Sequence, residues 1–136
     1  MTRLATRLRR LFGARDGGTA VEFALVFPVA ALFLIGAIEF GRLFWMRSLL
    51  EHAVEETGRY AMAHTTAAQS ELTGVLQQRA AAALAAGAIS ITYATAATGG
   101  TNYLTITATY SFGFMTNMIP YGPITLQSQT RVPLLS

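Results

Sequence analysis

The sequence predicts an α+β protein: a long N-terminal transmembrane helix that continues into an extracytoplasmic amphipathic helix, then a second helix and a small antiparallel β-sheet. Three observations predict it. Sixteen residues from Phe23 to Ile38 carry no charge. Beyond them, apolar residues recur at alternating spacings of three and four as far as Tyr60, which is the helical period. After Gly87 the period changes to two, as in strands with one covered face. The expected organisation is therefore a cytoplasmic basic leader over residues 1–17, a long helix over 18–64 with its membrane span at about 19–40, and a small α+β domain over 65–136.

The leader holds most of the charge. Arg3, Arg7, Arg9, Arg10 and Arg15 stand against Asp16, whereas the remaining residues carry five Arg and six Glu, so the net charge of +3 comes from one terminal arm. A basic arm that abuts an apolar run points to the cytoplasmic side of a membrane and argues against a nucleic-acid partner. Hydrophobic residues make up 52% of the chain and charged residues 12%, more apolar than an ordinary soluble domain. There are no cysteines, which excludes disulfide frameworks, zinc fingers and CxxC redox sites.

The span is closed by Glu22 at one end and Glu39 at the other, and Thr19, Ala20 and Val21 extend it outward. Only if Glu22 is tolerated does it reach about 20 residues, the length that crosses the hydrocarbon core. A carboxylate at the centre of a bilayer costs about 2.5–3.5 kcal/mol, and less toward the interface, so Glu22 is a candidate functional residue by default. A cleaved secretory signal is the plainer alternative. Its small-residue cut site follows the apolar stretch, however, and Ala61-Met62-Ala63 lies far too late. Pro28 removes one helical hydrogen bond, which membrane helices accept better than others.

Past the span, Leu43, Met46, Leu50, Ala53, Thr57 and Tyr60 form one apolar stripe, while Arg42, Arg47, Glu51, Glu55 and Arg59 fall on other faces. Glu55 precedes Arg59 by four, the orientation that favours a helical ion pair of about 0.3–0.5 kcal/mol. Leu72, Val75, Leu76, Ala80, Ala83 and Leu84 predict a second helix, with Ser70 near its start and Gly87 as its stop. Ile89, Ile91 and Tyr93 predict one strand and Leu104, Ile106, Ala108 and Tyr110 the next, joined by a turn at Thr98-Gly99-Gly100-Thr101-Asn102. A third strand is expected from Ile124 to Val132, after a loop with Pro120, Gly122 and Pro123. Phe112, Phe114, Met115 and Met118 are expected to pack on the small core.

No catalytic set can be assembled. The only aspartate is Asp16, and His52 and His64 lie on the long helix without a nucleophile motif. His52 and Glu56 share a helix face, but a metal site needs three or four ligands, so no metal and no cofactor is expected. Gly99-Gly100 joins two strand-like runs and lacks the lysine and helix that follow a phosphate loop. No small-molecule substrate is implied.

The basic leader, then Gly17, four residues, Glu22, Phe23 and an apolar helix together resemble a prepilin, whose G-x-x-x-x-E-F arrangement is recognised by the prepilin peptidases of type IV pilus systems. With Ala20-Val21-Glu22-Phe23-Ala24-Leu25-Val26, Pro28 and Glu39-Phe40-Gly41-Arg42, residues 17 to 60 look like the TadE-like family of tight-adherence pilus pseudopilins. The resemblance implies cleavage between Gly17 and Gly18, with the doubled glycine leaving a cut after Gly18 open, and makes Glu22 and Phe23 recognition and assembly residues. Glu39 and Arg42 mark the far end of the span and are read as interfacial. The implied partners are a prepilin peptidase, other pilins and pseudopilins through the N-terminal helix, and inner-membrane lipid. The implied role is that of a minor pseudopilin in pilus assembly and adhesion, held in a bacterial inner membrane with its C-terminal domain in the periplasm. The alternative is an uncleaved single-span anchor that carries a periplasmic binding module.

Overall fold

The computed structural model describes residues 16–80, 84, 88–115 and 122–134, so the leader up to Arg15, and Ala83, Gly87, Met118 and Pro120, lie outside the described residues. The chain divides into two compact units, Met1–Ile38 and Glu39–Ser136. One helix, α1 (Asp16–Ala63), contributes to both. It begins two residues before the expected start and ends one before His64, whose N–H still donates to the Tyr60 carbonyl at 2.9 Å.

In the first unit, α1 is lipid-like on every side. From Gly18 to Ile38 no side chain is buried, and only Ala31, Ile35 and Gly36 are partly covered. Its most apolar stretch has a mean hydropathy of 2.4, so this is a helix long and apolar enough to cross a membrane. All-round hydrophobicity with no burial is the pattern of a helix meant for an apolar surrounding. Pro28 sits inside α1 without ending it.

The second unit holds the rest of α1, then α2 (Gln69–Ala80), β1 (Ile89–Thr98), β2 (Thr101–Phe112) and β3 (Ile124–Leu134). Glu71 in the first turn of α2 and Arg79 in its last complement the helix dipole. The described helix ends at Ala80, yet Leu84 stays buried and donates its N–H to the Ala80 carbonyl at 3.0 Å. The strands form a meander in the order β1-β2-β3, antiparallel throughout. The β1–β2 turn is made by Gly99 and Gly100 alone, at φ +61° and +80°, the two left-handed positions of a type I′ hairpin that glycine adopts without steric cost. β3 runs two residues beyond the expected Val132; Pro133 fits there because β3 is an edge strand whose outer N–H groups have no ladder partner.

Period-two alternation gives the sheet two unlike faces. Ile89, Leu104, Ile106, Ala108, Phe112, Leu126 and Val132 close the core with Leu50, Ala53, Val54 and Ala61 of α1 and Leu72, Leu76 and Ala80 of α2. Thr92, Thr105, Thr107, Thr109 and Gln129 lie on the other face, where Arg131 crosses the Tyr103 ring at 4.2 Å and donates to the Thr98 hydroxyl at 3.1 Å, tying the two edge strands together. The stripe predicted on α1 is the buried one, and Thr57 within it satisfies its hydroxyl by donating to the Ala53 carbonyl at 2.7 Å.

Gly58 sets how closely α1 approaches β3. A β-carbon there would stand 3.0 Å from the Thr130 and Val132 methyl groups, whereas one at Gly74 on α2 would meet nothing within 4 Å. Two tyrosines link the elements: the Tyr60 hydroxyl on α1 donates to the Glu71 carboxylate on α2, and the Thr73 and Tyr93 hydroxyls bond at 2.9 Å between α2 and β1. The Glu71 carboxylate holds the Tyr60 proton in place, and burial disfavours the Tyr93 phenolate despite the Thr73 bond, so both hydroxyls ionise above the ordinary tyrosine range.

Gly58→Leu is expected to destabilise the second unit by about 1–3 kcal/mol through overpacking, and Gly74→Ala to stabilise it by about 0.5–1 kcal/mol through helix propensity. Denaturant unfolding of the full chain in detergent measures both. Because both tyrosine pKa values are raised in the folded state, their contribution is complete below the unfolded value of about 10 and falls as pH rises through the folded values. Thermal melting between pH 8 and 11 should therefore decline at the alkaline end, and less steeply in Tyr93→Phe.

Candidate anchor and assembly site

The site residues read from the sequence fall at two places on α1. Gly17 and Gly18 lie in its first turn, so the backbone at the expected cut is helical here. That turn opens easily. The first four N–H groups of a helix have no intrahelical acceptor, and each glycine is about 0.8–1.0 kcal/mol less favourable in a helix interior than alanine. A β-carbon at Gly18 would meet nothing within 4 Å. Glu22 lies one turn further on, exposed, and makes no hydrogen bond or ion pair among the described residues. Phe23 is 65% exposed and its ring lies 5.4 Å from that of Phe27, one turn along.

Glu39 and Arg42 form a different kind of site. Glu39 follows directly on the uncharged run, yet it is only 4% exposed. One carboxylate oxygen accepts from Arg42 Nη2 at 2.8 Å, and the other accepts the Met115 backbone N–H at 3.0 Å. Arg42 Nη2 also donates to the Gly113 carbonyl at 2.6 Å, and the guanidinium lies 4.4 Å over the Phe112 ring. Phe112 in turn meets Phe114 edge-on at 5.4 Å. The pair read as a span-end feature is thus also a clamp on residues 112–115, where the chain leaves β2. Its partners lie 71 and 76 residues away in sequence, and no local pattern announces such a contact.

The expectation for the Phe-Met cluster holds only in part. Phe112 is buried and Phe114 packs against the core, but Met115 is 78% exposed, because its backbone is spent on Glu39 while its side chain points outward. On α1, Glu56 faces two arginines, Arg59 at 3.7 Å and Arg79 at 3.6 Å, and the Glu55–Arg59 pair is open at 4.0 Å. Such exposed pairs contribute about 0–1 kcal/mol each. His52 and Glu56 line a shallow pocket of about 250 Å³ with Arg79, whose charge opposes a cation there. Among the described residues no group of three His, Cys, Asp or Glu is assembled.

The clamp predicts non-additive variants. Arg42→Ala, which leaves the Glu39 carboxylate without its charge partner, should lower the melting midpoint more than Glu39→Gln, and the double variant should lose less than the sum of the two. A double-mutant cycle by thermal melting in detergent measures the coupling.

Comparison with known proteins adds to this geometry. No curated protein matches the chain, and no solved structure does. The family model described as TadE-like protein matches residues 17–59, from the first glycine of the pair through Glu22, Phe23, Glu39 and Arg42 to Arg59. The matched segment, which carries every candidate site residue, is therefore similar to the TadE-like family that the sequence resembles, and it includes the helix long and apolar enough to cross a membrane.

Proposed function

We propose that the chain is a minor pseudopilin of a tight-adherence pilus system, cut by a prepilin peptidase between Gly17 and Gly18 and packed through α1 against other pilins and pseudopilins. The observation that supports this most is one of placement. The glycine pair, Glu22 and Phe23 occupy the first two turns of a helix that then runs without a charge to Ile38, all inside the matched segment.

Each part has a physical task in this reading. The glycines give a membrane protease a turn that unwinds readily and presents no side chain to obstruct it. Cleavage removes the leader arginines and creates an α-amino group one helical turn before Glu22. In a bundle of such helices, Glu22 of one subunit pairs with the new amino group of a neighbour, and each offsets the cost of holding the other in lipid. The leader arginines keep the N-terminus cytoplasmic before the cut, and the second unit is carried to the periplasmic side. Adhesion follows from the assembled pilus.

Processing and assembly are separable by mutation. Gly17→Trp is expected to block cleavage, so that the variant migrates more slowly than the processed wild type on a gel; equal mobility refutes the cut site. Glu22→Leu is expected to be cleaved normally and to abolish piliation, and normal piliation removes the pairing role. Intact mass of the membrane-extracted protein decides between the pseudopilin and an uncleaved anchor, since only the anchor retains residues 1–17.

A further inference from the structure

We infer that Met115 forms a second, non-spanning membrane contact, lying with Phe40, Phe44 and Trp45 in the headgroup zone of the bilayer that α1 crosses. The inference rests on the membrane span of the proposed function and adds to it where the second unit meets lipid. Glu39 is the first residue after the uncharged run, and its carboxylate holds the Met115 N–H at 3.0 Å while Arg42 holds the Gly113 carbonyl at 2.6 Å. The backbone at 113–115 is therefore fixed at the level of helix residues 39–42, within about one turn of the end of the span. There Met115 presents a side chain that is 78% exposed. Phe40, Phe44 and Trp45 on α1, within about two turns of Ile38, are each more than half exposed.

Large apolar groups left in water are stabilised when lipid covers them, and aromatic side chains concentrate where hydrocarbon gives way to headgroups. The charges nearby do not oppose the contact. Glu39 and Arg42 are bound to each other, Arg47 is paired with Glu51 at 2.9 Å, and the sequence has no charged residue between Arg79 and Arg131. Continuity favours lipid over a protein partner, since Phe40 lies two residues past Ile38 on the helix that already occupies the bilayer.

The chain has no cysteine and a single tryptophan, so site-specific probes are unambiguous. Spin labels placed by Met115→Cys, Val26→Cys and Gly74→Cys in the full chain, reconstituted in phosphatidylethanolamine–phosphatidylglycerol vesicles, report depth through their accessibility to oxygen and to a water-soluble nickel chelate. The Val26 label is expected in hydrocarbon and the Gly74 label in water. The Met115 label is expected between them, with chelate accessibility severalfold below that at Gly74, and Arg42→Ala should shift it toward water. Trp45 emission should be quenched by lipids brominated near the headgroup. A Met115 label as accessible to the chelate as the Gly74 label, with Val26 still deep, overturns the contact and leaves the span standing. A Val26 label in water overturns both. Protection at Met115 that disappears on dilution of protein in lipid assigns the patch to another protein subunit and also overturns the contact.

Discussion

One helix has to satisfy two surroundings, and every other feature is arranged around the point where they change. An α-helix meets all its backbone hydrogen bonds internally, which is why it can pass from lipid into a folded domain without a break. Up to Ile38 no described side chain of α1 is buried; from Leu50 to Ala61 the stripe facing the sheet is almost fully covered. Glu39 and Arg42 stand between these regimes. Their side chains bind each other and the backbone at Gly113 and Met115, with Arg42 Nε left buried and without a partner among the described residues, so the end of β2 is tied to α1 at Glu39 and Arg42 as well as along the stripe. Gly58 completes the attachment by letting β3 approach closer than a β-carbon ordinarily permits.

What the sequence disclosed depended on whether the cause was local. The uncharged run, the spacing on α1 and the alternation in the strands are each set by neighbouring residues, and all three elements lie where these patterns put them. The Gly99-Gly100 turn was equally legible, because its two left-handed residues are both glycine. Contacts between distant residues were not. Glu39 reads as one more charge at a span end, and nothing near it announces Met115. No local pattern singles out Gly58, and only the position of Thr130 and Val132 reveals it as a point of close approach. Met115 is expected in the core on composition, but its backbone N–H is bound to Glu39 and its side chain is exposed.

The distribution of charge divides the second unit by element. The described side chains of β1 and β2 carry none, and Arg131 is the single charge of β3, bound over Tyr103 to Thr98. The other ionic groups of the unit's described residues lie on α1 and α2, where exposed pairs such as Arg47–Glu51 add little stability. Cohesion therefore comes from apolar burial around Phe112, Leu76, Ile106 and Val54, together with the tyrosine bonds between elements. A core of this size, closed by one face of three strands, leaves a narrow margin, and Gly58 and the Glu39–Arg42 clamp are where that margin is most easily lost.

The two glutamates that bound the span differ in the respect that matters for assembly. Glu39 has its counter-charge three residues away and a backbone donor besides, so its needs are met within one chain. Glu22 is exposed, with no partner among the described residues, on a helix that carries no polar side chain from Phe23 to Ile38. Water can solvate a lone carboxylate, but lipid cannot, and the cost persists until a positive group arrives. In the proposed pseudopilin that group is created by the cut itself, on a neighbouring subunit. Processing would then do more than remove a leader, because it would supply the charge that makes the buried end of the helix stable only in company. In that proposal Glu39 is satisfied within its own chain, and Glu22 gives the chain a reason to pack against another.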